Sequence, residues 1–261
     1  MSSTLLYSFA HPDDESFSGA GTAMKYAARG VRTILVTATL GERGKTGDPA
    51  ICTVEELPGV RERELRRAAE IIGFDELHLL GYRDKELADA KPEEIREKLV
   101  VIIRRTRPDV VITFDPNGFN VHPDHVAISR FTSDAIAAAA DPRWHGDAGE
   151  PHVVARLLWT PPLAPWDISS PDSASPGTAA LSANDIAGID FVIDVSEWRE
   201  RRAAALRAHR TQHLSIDRYF FNRPDLNRIL DREFWRHAWG PSLQSRPADD
   251  ILTGCPGTPA L

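Results

Sequence analysis

Short apolar runs rich in β-branched residues alternate with amphipathic stretches along roughly the first half of this 261-residue chain, and no other feature narrows the fold as much. Thr4–Phe9, Val31–Ala38, Glu76–Leu80 and Asp109–Phe114 read as strands. Gly19–Arg29, Val60–Ile72 and Pro92–Arg105 read as helices, and a further helix runs to about Ala140. Gly73 supplies a stop for the second of these, and Pro92 stands in a first turn, where its missing N–H costs nothing. Such alternation predicts an α/β fold, a doubly wound and mostly parallel sheet with right-handed crossovers. In the usual strand order 3-2-1-4, Thr4–Phe9 and Asp109–Phe114 lie side by side where the winding reverses. Open α/β sheets bind ligands in the crevice at that point.

After residue 150 the pattern weakens. Val153–Thr160 and Asp190–Val195 read as further strands, and Glu197–His213 as an Arg-rich helix. Between the strands, Pro161–Gly188 is rich in Pro, Ser and Ala and too long for a passive connection, so it reads as a lid or a disordered segment, and it is expected to border the site mouth and to be mobile without substrate. The Pro/Gly-rich tail from Pro241 is expected to wrap the surface. The whole chain, 1–261, reads as one domain. A net charge of −7 excludes a general nucleic-acid or anionic-membrane binder. The start, Met1-Ser2-Ser3-Thr4-Leu5-Leu6, lacks the pattern of a secretory signal, and no apolar stretch nears the roughly 20 residues of a membrane span. Cys52 and Cys255 are isolated thiols, which fits a reducing, cytoplasmic setting.

Two strings carry the chemistry. His11-Pro12-Asp13-Asp14-Glu15 follows the first strand, and His122-Pro123-Asp124-His125 follows the fourth. Each proline holds the preceding histidine extended, at a strand end, and the residues after it begin a helical turn. Acidic residues after a strand are often helix caps, but two His-Pro-Asp strings behind two core strands are poorly explained by capping alone. Together they offer two imidazoles and a carboxylate for a divalent ion with an open position for water, plus a spare carboxylate and a spare imidazole. That is a catalytic donor set, suited to Zn2+ and acceptable to Fe2+ or another divalent metal. Arg61 stands in Val60-Arg61-Glu62-Arg63-Glu64, where a solvated arginine in i,i+4 pairs is the plainer reading and a substrate clamp the functional one. His209 and His213, at i,i+4, read as a surface pair on a basic helix.

The strings Ala10-His11-Pro12-Asp13-Asp14-Glu15 and His122-Pro123-Asp124-His125 resemble the two signatures of the PIG-L/LmbE-like zinc-dependent N-deacetylases. Thr39-Leu40-Gly41-Glu42-Arg43-Gly44, Arg61-Glu62-Arg63-Glu64-Leu65 and Ala208-His209-Arg210-Thr211-Gln212 are similar as well. The resemblance covers about residues 4–130 and thins over 190–213. It implies a Rossmann-like fold with metal ligands His11, Asp14 and His125. It further implies Asp13 as general base, and His122 as the group that stabilises the oxyanion or protonates the leaving amine, with Asp124 fixing its orientation. Arg61 would bind substrate hydroxyls or phosphate. Where many relatives carry Tyr or Gly, this chain has Phe119-Asn120-Val121, so Asn120 is the candidate donor from that position.

The implied reaction is removal of an acetyl group from an N-acetylglucosamine-type substrate, a small-molecule glycoside or glycoconjugate. An amidase of the same mechanism acting on a non-sugar amide or thiol conjugate is the nearest rival. A non-catalytic metal- or sugar-binding module is the rival of another class, although it would need neither Asp13 nor His122. The sequence leaves monomer and homo-oligomer equally open.

Overall fold

The computed structural model describes residues 3–161 and 188–256, so the expected lid Pro161–Gly188 lies, except for its two end residues, outside the described residues. Seven strands form one sheet in the order β3-β2-β1-β4-β5-β7-β6. They are β1 Thr4–Phe9, β2 Arg32–Thr39, β3 Glu76–Tyr82, β4 Val110–Phe114, β5 Arg156–Thr160, β6 Phe191–Asp194 and β7 Arg232–Trp239. The first five are parallel, with Leu5 opposite Val110 on one side of β1 and Thr33 on the other. The expected order 3-2-1-4 is therefore found. Every residue of β1 is buried, as parallel strands covered on both faces require.

Helices α1 (Asp14–Ser18), α2 (Ala20–Ala28), α3 (Leu57–Ile72), α4 (Pro92–Thr106), the kinked turn α5 (Gly118–Val121) and α6 (Pro123–Ala140) fill the crossovers. α3 ends where expected, at Gly73, whose φ of 92° is free to a residue without a β-carbon. Its buried face includes Leu65, Ala68 and Ile72, and also Arg61 and Glu64, which no hydrophobic pattern foretells.

In the second half one expected helix is shorter than foreseen and one strand is added. The helix expected over Glu197–His213 is α7, Arg199–Ala208; it breaks at His209, where ψ turns to 65°, and a 3-10 turn Arg210–Gln212 leads into α8, His213–Ile216. β7 was not foreseen. It follows α9 (Leu226–Asp231) and runs antiparallel between β5 and β6. One of its inward residues is an acid: Glu233 accepts from Gly21 N and Thr22 N at 2.8 and 2.7 Å and pairs with buried Arg202 at 3.0 Å. A buried carboxylate at the start of α2 is electrostatically sound but breaks the apolar alternation by which strands are read. The described part of the tail from Pro241 lies mostly at the surface, but it is anchored at buried residues. Ile251 and Leu252 are buried, Tyr26 Oη donates to Asp250 Oδ1 at 2.6 Å, and the buried Arg156 guanidinium donates to Ile251 O and Thr253 O. Among the described residues, no helix is long and apolar enough to cross a membrane.

Candidate metal centre at the carboxyl end of the sheet

Immediately past β1, Ala10 N and His11 N donate to Asp14 Oδ2 at 3.1 and 2.8 Å, so this carboxylate closes the loop from which α1 starts. Asp13 takes a φ of 107°, a left-handed setting that costs about 1–3 kcal/mol and persists only where the surroundings enforce it. Glu15 Oε2 accepts from Asp13 N at 3.1 Å, and Arg61 Nη2 donates to Pro12 O. Past β4, His122 is extended (φ −65°, ψ 130°) before Pro123, as its sequence requires, and α6 begins.

Adjacent strands bring the two strings together. His11 Nδ1 lies 3.1 Å from His125 Nε2 and 3.6 Å from Asp14 Oδ2, and His125 Nε2 lies 3.4 Å from Asp14 Oδ1. Ligands about 2.0–2.1 Å from one tetrahedral ion are spaced about 3.3 Å apart, so these separations fit a single ion. The other ring nitrogens are engaged as metal-bound histidines require. His11 Nε2 faces Asp124 Oδ2 at 3.1 Å and Asp84 Oδ1 at 3.2 Å, while His125 Nδ1 donates to Gly118 O at 3.2 Å. His125 also stacks on Phe114 with ring centroids 4.0 Å apart.

Two other groupings have donor atoms within 4.8 Å of one another: His11 with His122 and His125, and His11 with Asp84 and Asp124. The second uses the far nitrogen of His11. Asp124 there already accepts from Lys85 N and Leu87 N at 2.6 and 3.2 Å, which suits an orienting carboxylate better than a ligand. The structure thus gives Asp124 a different neighbour from the expected one: its carboxylate meets His11, and only its backbone N–H reaches His122, donating to Nδ1 at 3.2 Å. That bond leaves the proton of neutral His122 on Nε2. Burial, and then the imidazoles of His11 and His125, hold the His122 pKa below its ordinary value.

Burial would lower the His11 pKa too, but the carboxylates of Asp124, Asp14 and Asp84 outweigh it and hold this imidazole well above its ordinary value. Asp14 is the converse: burial works to raise it, and His125 and His11 pull it below the usual carboxylate range. Asp13 is pushed up to about 6 by burial, with Arg61 opposing and Asp14 adding to the rise. A carboxylate of raised basicity is what a general base needs.

Arg61 is 4% exposed, so the solvated reading is corrected. Its Nη1 donates to Gly41 O at 2.9 Å, and its Nη2 lies 3.4 Å from Asp13 Oδ1. Gly41 makes room for it: at φ 62°, a β-carbon on Gly41 would stand 1.9 Å from Arg61 Nη1. Gly41→Ala is therefore expected to displace the guanidinium. It should lower thermal stability by several degrees, given a strain of about 1–3 kcal/mol, and reduce kcat/KM by about tenfold or more, as substrate titrations and a melting curve would reveal. Asn120 is exposed, and its Oδ1 accepts from His122 N at 3.1 Å, leaving the amide NH2 as its donor. His11, Asp13, Asp14, Arg61, Asn120, His122 and His125 line a cavity of about 460 Å³, together with Phe17, Phe119 and Tyr219 and the exposed Arg43, Lys45 and Lys85.

Two participants were missed in the sequence. Asp84 lies just past the end of β3, a place where acidic residues merit scrutiny once the sheet order is known. His209, expected on the surface, is fully buried, and its Nε2 meets Glu15 Oε1 at 2.7 Å. Burial alone would lower the His209 pKa, but Glu15, and after it Asp13, raise it.

The family model PIG-L, described as GlcNAc-PI de-N-acetylase, matches residues 6–136. The chain is similar to the 1D-myo-inositol 2-acetamido-2-deoxy-alpha-D-glucopyranoside deacetylase of Streptomyces scabiei, 32% identical over 97% of this chain and 90% of that protein. A probable N-acetyl-alpha-D-glucosaminyl L-malate deacetylase of Bacillus anthracis is 42% identical over 51% of this chain and 59% of that protein. Among solved structures, the N,N'-diacetylchitobiose deacetylase of Pyrococcus horikoshii shares the fold, with a TM-score of 0.68 at 21% identity over 90% of this chain and 83% of that one.

Proposed function

Because this chain belongs to the PIG-L family of de-N-acetylases, we propose that it is a metal-dependent hydrolase that removes the acetyl group from an N-acetylglucosamine unit of a small glycoside. The observation that carries the proposal is the convergence of His11 Nδ1, Asp14 and His125 Nε2 beside Asp13 and His122 in one cavity. His11, Asp14 and His125 would hold the metal. With two imidazoles and one carboxylate, Zn2+ is the natural occupant and Fe2+ an acceptable one. A divalent ion held there would supply Lewis-acid chemistry, polarising the amide carbonyl and easing deprotonation of the attacking water.

Asp13 takes the proton of the attacking water, and Arg61 beside it keeps the carboxylate aimed. His122, with its proton on Nε2, donates a hydrogen bond to the oxygen on which charge develops. Asp124 and Asp84 orient the His11 ring, a coupling through which carboxylates strengthen histidine ligands. Arg61 and Asn120 would bind the substrate, and the lining lysines Lys45 and Lys85, with Arg43 beside them already paired to Glu86, would favour a glycoside whose aglycone carries a carboxylate or phosphate.

Acetate release tests this reading on a panel holding the N-acetylglucosaminides of inositol and of malate, N,N'-diacetylchitobiose and a non-sugar N-acetyl amide. Hydrolysis of a sugar member is expected, lost on chelation and restored by Zn2+ or Fe2+. Turnover that survives complete metal removal, or is confined to the non-sugar amide, would overturn it.

A further inference from the structure

His209 comes from the far end of the chain, yet it sits directly behind the first His/Asp string. Its Nε2 lies 2.7 Å from Glu15 Oε1 and 3.3 Å from Ser16 Oγ, and Ser16 Oγ donates to the same Glu15 oxygen at 2.6 Å. The other oxygen, Glu15 Oε2, accepts from Asp13 N at 3.1 Å. Both Glu15 and His209 are buried to within 1% of completely. A buried carboxylate without partners is costly, and His209 Nε2 is the partner that reaches Glu15 Oε1 from outside its own string.

The segment carrying His209 is itself pinned. Thr211 N and Oγ1 donate to Glu64 at 2.9 and 2.6 Å, and Gln212 Nε2 donates to Lys45 O at 2.8 Å. The break in the helix after Ala208 is what turns His209 inward. None of these groups is among the metal donors, although Gln212 and Lys45 line the cavity.

We propose that His209 is a positioning residue: through Glu15 it locks the Asp13 backbone in its left-handed setting and so aims the Asp13 carboxylate at the attacking water. The assignment rests on the deacetylase reading for its effect on turnover, though the lock on the Asp13 amide exists independently of that reading. Asp13 holds an unfavourable φ and has Glu15 as the acceptor of its N–H. Without His209, the Glu15 carboxylate loses the partner that holds its Oε1 in place and is free to shift, and the lock loosens. A displacement of the base by about 1 Å is enough to cost about 100-fold in rate.

The test compares His209→Leu with His209→Gln, whose amide nitrogen stands where Nε2 does and still donates to Glu15. For His209→Leu, kcat is expected to fall about 100-fold with KM within about twofold of wild type and metal content unchanged; His209→Gln should keep kcat within about tenfold. Combined with Glu15→Gln, the leucine variant should add little further loss, because the two residues act through one another. Hydrogen exchange at the Asp13 amide should accelerate in His209→Leu while exchange across the central strands is unchanged. Should the leucine variant not fold, His209→Gln and Glu15→Gln supply the same two readouts. Equal losses in the leucine and glutamine variants, additive losses in the double variant, or an unchanged Asp13 amide would overturn the assignment. If wild type hydrolyses no member of the panel, the function proposed above fails, and exchange at Asp13 still decides whether His209 holds that backbone.

Discussion

Asp13→Asn is expected to yield a folded, metal-loaded protein whose turnover has fallen by about three orders of magnitude, within the range general-base catalysis supplies. Asparagine has nearly the same size and is among the few residues that tolerate a positive φ, so the 107° setting does not itself forbid the change. Glu15 Oε2 still receives the backbone N–H of residue 13, and Arg61 still donates to Pro12 O. None of the three separations among His11, Asp14 and His125 involves Asp13. What disappears is the oxygen that accepts a proton. Metal analysis beside kcat settles the point, and loss of metal together with activity would place Asp13 among the ligands.

The framework of this site could be read from residue order because it depends on local rules. Pro12 and Pro123 act on the residue before them, and β-branched runs alternate with helices, so a sheet with His11 and His122 at neighbouring strand ends follows directly. The orienting carboxylates were hidden, since they are not neighbours in sequence. Asp84 meets His11 only because β3 and β1 end on the same side of the sheet. Asp124 was legible as a participant, but its partner was not. Its position three-dimensionally below His11, with its oxygens held by Lys85 N and Leu87 N, is a product of packing between α6 and the loop after β3.

His209 shows why periodicity misled. Reading Glu197–His213 as one helix puts His209 and His213 on one face, and a basic helix suggests solvent. The helix instead ends at Ala208, and the one-residue change of direction sends His209 into the core while His213 stays partly exposed. Arg61 misled in the same manner. Its neighbours Glu62 and Arg66 do form the expected surface pair at 2.7 Å, but Arg61 lies on the opposite face, against Gly41 and Pro12. Charge alone does not tell which face of a helix is buried when the buried face ends at a polar site.

His11→Ala should have the second large effect, and a broader one than His125→Ala. Either change removes one of three donors and is expected to weaken metal binding by roughly 100-fold or more, with activity lost accordingly. His11, however, also stands between the site and the buried pair Asp84 and Asp124, whose oxygens it meets at 3.2 and 3.1 Å. Removing the imidazole leaves two buried carboxylates within 4.8 Å of each other without their shared donor, so a cost of about 3 kcal/mol in stability is expected. His125→Ala loses its stacking on Phe114 and the bond to Gly118 O and bares only Asp14 Oδ1, while the other oxygen of Asp14 keeps the Ala10 and His11 N–H donors.

The sign of the pH dependence follows from the two partners. Burial works to raise Asp84, and His11 pulls it below the usual carboxylate range, so this contribution is present above the unfolded carboxylate pKa of about 4 and fades as pH falls. His11 is held well above its ordinary value, so its contribution is present at low pH and is lost as pH rises through the folded pKa. In chelator, the stability gap between wild type and His11→Ala should therefore be widest between about pH 4 and the raised pKa of His11, and should narrow on both sides. Urea unfolding across pH measures it. A gap that is flat with pH, or an equal loss in His125→Ala, would show that Asp84 and Asp124 do not depend on His11 for their burial.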